Sequence, residues 1–348
     1  MKLKILILGI FALVCVSEQR KSYNGYQVVR TENIDSQNKI IELIKFVEHD
    51  KDNSYDFGVN PRIVGNHATI MAAPGTISKL LDFLKEQDIS AEVIMKDVGD
   101  MLKKENNNNK LFRLNDIYTF LHQVRKGKED FVSVVKYGTS YEGRDLNLIK
   151  IEKAGPGAPN IFIEGANPDG YEFTRNDTRF WRKTRSYIPN SHCRGVDPNR
   201  NWGFHWHESG VSDDPCSSIY PGSRPFSEIE VESIRKYLFL YPYGYAVGAF
   251  TDNHAELEEL GQQAASALNA VHGSKFGVIN AAAFWPGAGA ADDWYAGVLG
   301  SRFVYTIELR KGEGNIFDLP TEEITPSGEE LWEGIKVMLN KAHEVSLE

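Results

Sequence analysis

The sequence predicts two consecutive units. A small α+β unit with ferredoxin-like topology comes first, and a larger α/β domain follows, with a mixed central sheet covered by helices. Three observations lead there. From about Tyr23 to Lys110, strand and helix signals follow the order strand-helix-strand-strand-helix-strand, the split arrangement of that small fold. A polar stretch, Lys103–Lys110 with its N-N-N-N, then reads as an exposed linker. Beyond it, strands mix with amphipathic helices, which indicates a sheet whose faces are covered.

Taken in order, Met1–Lys4 carries two lysines and Ile5–Val16 is an apolar run of twelve residues ending near C-V-S. That is the layout of a secretory signal peptide over residues 1–17, too short to span a bilayer. Tyr26–Thr31 is the first strand of the small unit, expected over residues 20–110. Ile40, Ile41, Ile44 and Val47 then recur at helical spacing behind the capping residues Asp35 and Ser36. Tyr55–Val59 and His67–Ala72 read as strands. Thr76 opens a helix with Ile77, Leu80, Leu81 and Leu84 on one face, and Ala91–Lys96 is the last strand.

The second unit is expected over residues 113–348. Asn115 is a good N-cap for a helix burying Ile117, Phe120, Leu121 and Val124. Phe131–Tyr137 and Leu146–Ile151 flank the turn Tyr141–Arg144 as a hairpin, and Asn160–Glu164 is a buried strand. Helices are expected near Ser227–Tyr237 and Ala255–His272, and a strand at Phe303–Leu309. The C-terminal helix starts with Thr325 as cap and Pro326 in the first turn, burying Leu331, Ile335, Met338, Leu339 and Ala342.

Composition narrows the function. The chain has 348 residues, 41% of them hydrophobic, and a net charge of −9. No basic surplus exists to neutralise phosphates, so nucleic acid is excluded as a main partner, and no second apolar run reaches membrane-spanning length. A monomer is expected. With Cys15 inside the signal, Cys193 and Cys216 remain. In an oxidising compartment they most simply form one disulfide, closing a loop of about two dozen residues worth roughly 3 kcal/mol. Asn176-Asp177-Thr178 is a glycosylation sequon.

Eight stretches stand in a recognisable order: Y-E-G-R (Tyr141–Arg144), I-F-I-E-G (Ile161–Gly165), N-P-D-G-Y-E-F (Asn167–Phe173), F-W-R-K-T-R-S (Phe180–Ser186), D-P-N-R-N-W (Asp197–Trp202), Y-P-Y-G-Y (Tyr241–Tyr245), D-D-W (Asp292–Trp294) and T-I-E-L-R (Thr306–Arg310). Together with the cysteine spacing, they resemble the secreted zinc metallocarboxypeptidases of the pancreatic type, including invertebrate digestive ones. The resemblance implies a carboxypeptidase-like fold and an inhibitory prosegment in the N-terminal unit. It also implies zinc-dependent removal of C-terminal residues from peptides. Lys103, Lys104, Lys110 and Arg113 offer an activating trypsin-like protease its cutting sites.

The resemblance also assigns roles. Glu308 is the base that takes a proton from metal-bound water; buried at a strand end, it would have a raised pKa. Arg182 stabilises the oxyanion, and Arg200 with Asn199 holds the terminal carboxylate of the substrate. Trp285 stands where the family commonly has a mobile tyrosine, and an indole N–H donates but cannot act as an acid. Asp292 either floors a pocket for basic residues or is a capping or surface aspartate.

Two blocks of the family pattern are missing. The strand I-F-I-E-G should run into an H-x-x-E loop, then a helix and a strand before N-P-D-G; here Ala166 meets Asn167 directly. A histidine-serine-tyrosine stretch should precede Y-P-Y-G-Y, but Ile234–Leu238 runs straight into it. With these blocks go all three zinc ligands, so no metal ligand is assigned and zinc, the family cofactor, is not expected to bind. His205 with Glu208 and His254 with Glu258 have ligand-like spacing, but neither pair has a third ligand. The remaining histidines sit singly. An inactive carboxypeptidase-type precursor is therefore expected. The alternatives are a binder of peptide C-termini and an inhibitor of related enzymes acting through the N-terminal unit.

Overall fold

The computed structural model describes residues 21–50, 52–107, 113–151, 167–234, 245–284, 286–310 and 319–345. The N-terminal unit has β1 (Gln27–Thr31), α1 (Gln37–Glu48), β2 (Tyr55–Val59), β3 (Thr69–Ala72), α2 (Ile77–Glu86) and β4 (Ala91–Met95). Its antiparallel sheet has the order β2-β3-β1-β4, as the strand-helix alternation predicts. Ile40, Leu43 and Val47 of α1 and Leu80 and Leu84 of α2 are buried against Val29, Ile70 and Ala72. Ile41 is exposed and Leu43 takes its place, because the 3.6-residue period aims the i, i+3, i+7 stripe at the sheet. The expected linker begins later than predicted: α3 (Val98–Asn107) continues from the unit, anchored by the buried Val98 and Leu102 against Tyr23, Val28 and Met71.

In the second unit, α4 (Leu114–Arg125) starts two residues earlier than the Asn115 cap implied. Leu114 is buried, Arg113 takes the cap position, and the Asp116 carboxylate accepts the Arg113 N–H at 3.0 Å. Phe120 is 60% exposed while Ile117, Leu121 and Val124 are half-buried, so the face meeting the domain is narrower than the apolar pattern. The hairpin forms as β5 (Val132–Thr139) and β6 (Asp145–Ile151). Then come α5 (Pro168–Asn176), α6 (Ile229–Ile234), α7 (His254–His272), α8 (Ala281–Phe284), α9 (Ala291–Gly297) and α10 (Ile324–Val345).

Two expectations fail here. Phe303–Leu309 forms no strand: Val304 is buried, but Thr306, Glu308 and Leu309 are exposed, and no described segment lies beside it to take a ladder of hydrogen bonds. The expected strand Asn160–Glu164 lies outside the described residues. In α10 the fully buried positions are Ser327, Glu330 and Gly334, whereas Leu331, Ile335, Met338, Leu339 and Ala342 are half-buried. Gly334 lets the helix close on Leu268 of α7, where a Cβ would sit 2.9 Å from Leu268 atoms.

The N-terminal unit rests on the second. Lys21 N–H donates to the Asp177 carbonyl at 2.9 Å. The Tyr23 and Phe180 rings meet edge-on at 5.2 Å, and burial raises the Tyr23 hydroxyl to a pKa of about 12. Among the described residues, no helix is long and apolar enough to cross a membrane.

Candidate functional site

Two motifs meet at a buried carboxylate. Asn167 caps α5, its side chain accepting from Gly170 N–H at 2.7 Å, and this places Asp169 in the first turn with no solvent exposure. Asp169 accepts from Ser140 Oγ at 2.6 Å, Glu142 N–H at 2.8 Å and Arg144 Nη1 at 2.7 Å. Glu230 of α6 holds the same turn through Tyr141 N–H at 3.0 Å, and burial pushes its pKa up to about 7. The turn Tyr141–Arg144 is thereby fixed between α5 and α6.

The charged centre is built on Asp197, which is 1% exposed. It caps the short 3-10 turn Pro198–Arg200, with Oδ1 accepting Asn199 N–H at 3.0 Å and Oδ2 accepting Arg182 Nε at 2.8 Å. The negative charge of Asp197 raises the Arg182 pKa above its ordinary value, and Glu308 adds to it against the opposing effect of burial. Arg182 and Glu308 thus stand within electrostatic reach of each other. Glu308 is exposed, not buried at a strand end, because the strand meant to carry it does not form. Asp197 was not assigned from sequence; an aspartate before proline signals a cap, not a partner for Arg182.

Arg200 is buried at 6% exposure, with Nε donating to the Gly210 carbonyl at 3.1 Å and Nη1 to the Asn199 carbonyl at 2.6 Å. Gly287 makes room for it, since a Cβ there would lie 2.8 Å from Nη2. Burial pulls its pKa down to about 10; Asp197 and Asp292 oppose this, and the like charges of Arg182 and Arg62 add to it. Arg62, whose charge acts on Arg200, belongs to the N-terminal unit. Asn199 Oδ1 accepts the N–H of Ala291 at the start of α9 at 3.0 Å.

Asp292 is 5% exposed, and its Oδ2 accepts from Thr306 Oγ1 at 3.3 Å. Burial pushes its pKa up to about 6 against backbone and Thr306 hydrogen bonds and the charge of Arg200. It is no surface residue. Trp285 lies outside the described residues. The structure thus gathers Arg182, Asn199, Arg200, Asp292 and Glu308 around one place, with Asp197 and Thr306 added.

Among the described residues no group of histidine, cysteine and carboxylate ligands gathers at Glu308, whose charged neighbour is Arg182. His205 Nδ1 meets Glu208 Oε2 at 2.7 Å while its ring stacks on Tyr245 at 3.7 Å, a local clasp. His254 points Nδ1 at the Thr251 carbonyl, and Glu258 accepts from Gln262. Among the described residues one group of three potential ligands gathers, His192 with Cys193 and Cys216, and there the cysteines are bonded to each other as expected.

Comparison with known proteins identifies the family of the two units. A sequence model of zinc carboxypeptidases matches residues 117–166, 165–239 and 236–334, and one of carboxypeptidase activation peptides matches 33–105. Carboxypeptidase B of Astacus astacus is 35% identical over 287 aligned positions, covering 65% of this chain and 94% of that protein. Zinc carboxypeptidase A 1 of Drosophila melanogaster is 30% identical over 416 positions, covering 95% of each. That alignment is longer than the 348 residues of this chain, so the relative carries stretches without counterpart here. The crystal structure of carboxypeptidase A from Helicoverpa armigera superposes with a TM-score of 0.79 at 22% identity, over 94% of this chain and 99% of that one.

Proposed function

Given that the chain belongs to the zinc carboxypeptidase family and carries that family's activation peptide, we propose that it is a secreted, zymogen-like member that holds no catalytic zinc and removes no C-terminal residues. The observation that carries this reading is where the family match breaks. Its three stretches abut at 165–166 and 236–239, the two places where the motif order skips the H-x-x-E block and the histidine-serine-tyrosine block.

The remaining residues keep the auxiliary half of the chemistry. Glu308 would accept a proton, Arg182 would receive the oxyanion, and Arg200 with Asn199 would grip a terminal carboxylate. Zinc, where bound in the family, supplies a water acidic enough to ionise near pH 7 instead of near 16, roughly. Without it Glu308 faces bulk water and has no activated nucleophile to serve. Secretion is supported by the signal-peptide layout and the Cys193–Cys216 bond.

The retained clamp supports a second reading, a binder of peptide C-termini with Asp292 favouring basic residues. In the precursor that clamp is closed: Arg200 spends Nε and Nη1 on backbone carbonyls, with Arg62 of the N-terminal unit nearby. The third reading, inhibition of related enzymes by the N-terminal unit, rests on that unit being intact.

The test is hydrolysis. The disulfide-bonded chain, trypsin-nicked and supplemented with zinc, is given peptides ending in arginine, lysine or leucine. No release above the protein-free blank is expected; chelator-sensitive release of the terminal residue overturns the proposal. Binding of the same peptides without release favours the second reading.

A further inference from the structure

Away from the charged centre, His192 stands against the disulfide. Its Nε2 lies 3.7 Å from Cys216 Sγ, and the ligand atoms of His192, Cys193 and Cys216 all fall within 4.8 Å of one another. We propose that opening this disulfide with a dithiol creates a divalent-metal site of two thiolates and one imidazole, so that the same loop is pinned by sulfur–sulfur bonding in one redox state and by a soft metal ion in the other.

The geometry suits such a site once the two sulfurs move apart. With metal–sulfur bonds of about 2.3 Å and metal–nitrogen bonds of about 2.0–2.1 Å at tetrahedral angles, the nitrogen and sulfur ligands stand roughly 3.6 Å apart and the two sulfurs roughly 3.8 Å apart. The Nε2–Sγ separation of 3.7 Å already matches. The cysteine Cα atoms, 5.2 Å apart, let the sulfurs separate by side-chain rotation alone. Within each loop the cysteine N–H has a local acceptor: Cys193 N–H donates to Ser191 Oγ at 3.0 Å and Cys216 N–H to Asp214 Oδ1 at 2.9 Å. Nearby, Lys183 Nζ donates to the Pro215 carbonyl at 2.5 Å.

The chemistry balances. The dithiol gives two electrons and two protons to the disulfide, is itself oxidised to a cyclic disulfide, and leaves two protein thiols. The incoming metal ion displaces both thiol protons to solvent, and neutral His192 adds its Nε2 lone pair. Three protein ligands leave a fourth position for water. What the site would preserve is the closure of the segment between Cys193 and Cys216, which carries Asp197, Asn199 and Arg200. Soft thiolate ligands select zinc, cadmium or cobalt over magnesium or calcium.

Cobalt(II) is the probe. The full chain is reduced with dithiothreitol, desalted without oxygen and titrated with cobalt(II), following thiolate-to-metal charge transfer and the visible bands of tetrahedral cobalt. The proposal expects one cobalt per reduced chain, released on reoxidation, and binding at least about tenfold weaker in His192→Ala, since even second-sphere losses cost that much. An unfolded dithiol would bind cobalt equally with or without His192, so equal affinity of the two proteins overturns the proposal, as does reduced wild type that takes up none. Cobalt bound by the oxidised chain would instead contradict the zinc-free reading above.

Discussion

Asp197 does more at this site than any residue the motifs singled out. It is buried, caps the turn that presents Asn199 and Arg200, and neutralises Arg182. Asp197→Ala should cost on the order of 1 kcal/mol in urea unfolding, since it takes the acceptor from the Asn199 N–H and the ion-pair partner from the partly exposed Arg182. Asp292 and Glu230 give a pH signature. Their folded pKa values, about 6 and about 7, lie above the ordinary carboxylate range. The folded state therefore binds these protons more tightly than the unfolded state does. Their contribution is present below about pH 4 and is lost as pH rises through 6 and 7. Asp292→Asn should flatten the fall between about pH 4 and 6, and Glu230→Gln the part up to about pH 7, each by roughly 2–3 kcal/mol in urea midpoints converted to free energy. A stability profile unchanged by either substitution contradicts the assignment. The motifs that carry Arg182, Asn199, Arg200 and Asp292 were legible in sequence because each is local. The pairing of Arg182 with Asp197 was not, because it closes only when two loops fold together.

At the scale of elements, the ferredoxin-like order could be read directly because each helix there shows a clean apolar period and each strand is bounded by turn residues. The segment Phe303–Leu309 misled for the opposite reason. Its alternating pattern is that of a strand, but a strand exists only beside a partner, and none of the described segments pairs with it. Side chains hold that segment instead, Tyr305 to the Leu257 carbonyl of α7, Thr306 to Asp292 of α9, and at its end Arg310 to α10. Arg310 donates to the fully buried Glu330 through Nε at 2.7 Å and Nη2 at 2.5 Å, Ser274 Oγ donates to the same carboxylate at 2.6 Å, and Glu323 pairs with Arg310 as well. Glu330→Gln should speed amide exchange severalfold at residues 303–310 while leaving α1 and α2 unchanged; uniform exchange across both would contradict this anchoring role.

Over the whole molecule, the N-terminal unit has a continuous core of its own, while the second unit keeps one hairpin as its sheet among the described residues. Long helices α7 and α10 and the loop-borne charged centre carry the rest of the larger unit. A fragment of residues 21–107 should therefore fold alone, with a cooperative thermal transition and native far-ultraviolet dichroism, and a fragment that is unfolded at 25 °C contradicts it. Arg182, Asn199 and Arg200 lie on a segment that the family match covers.

Zinc stoichiometry tests the zinc-free reading most directly. The disulfide-bonded chain, dialysed against micromolar zinc and then against metal-free buffer, should retain well under one zinc per molecule by elemental analysis; one tightly held zinc per chain would contradict the account.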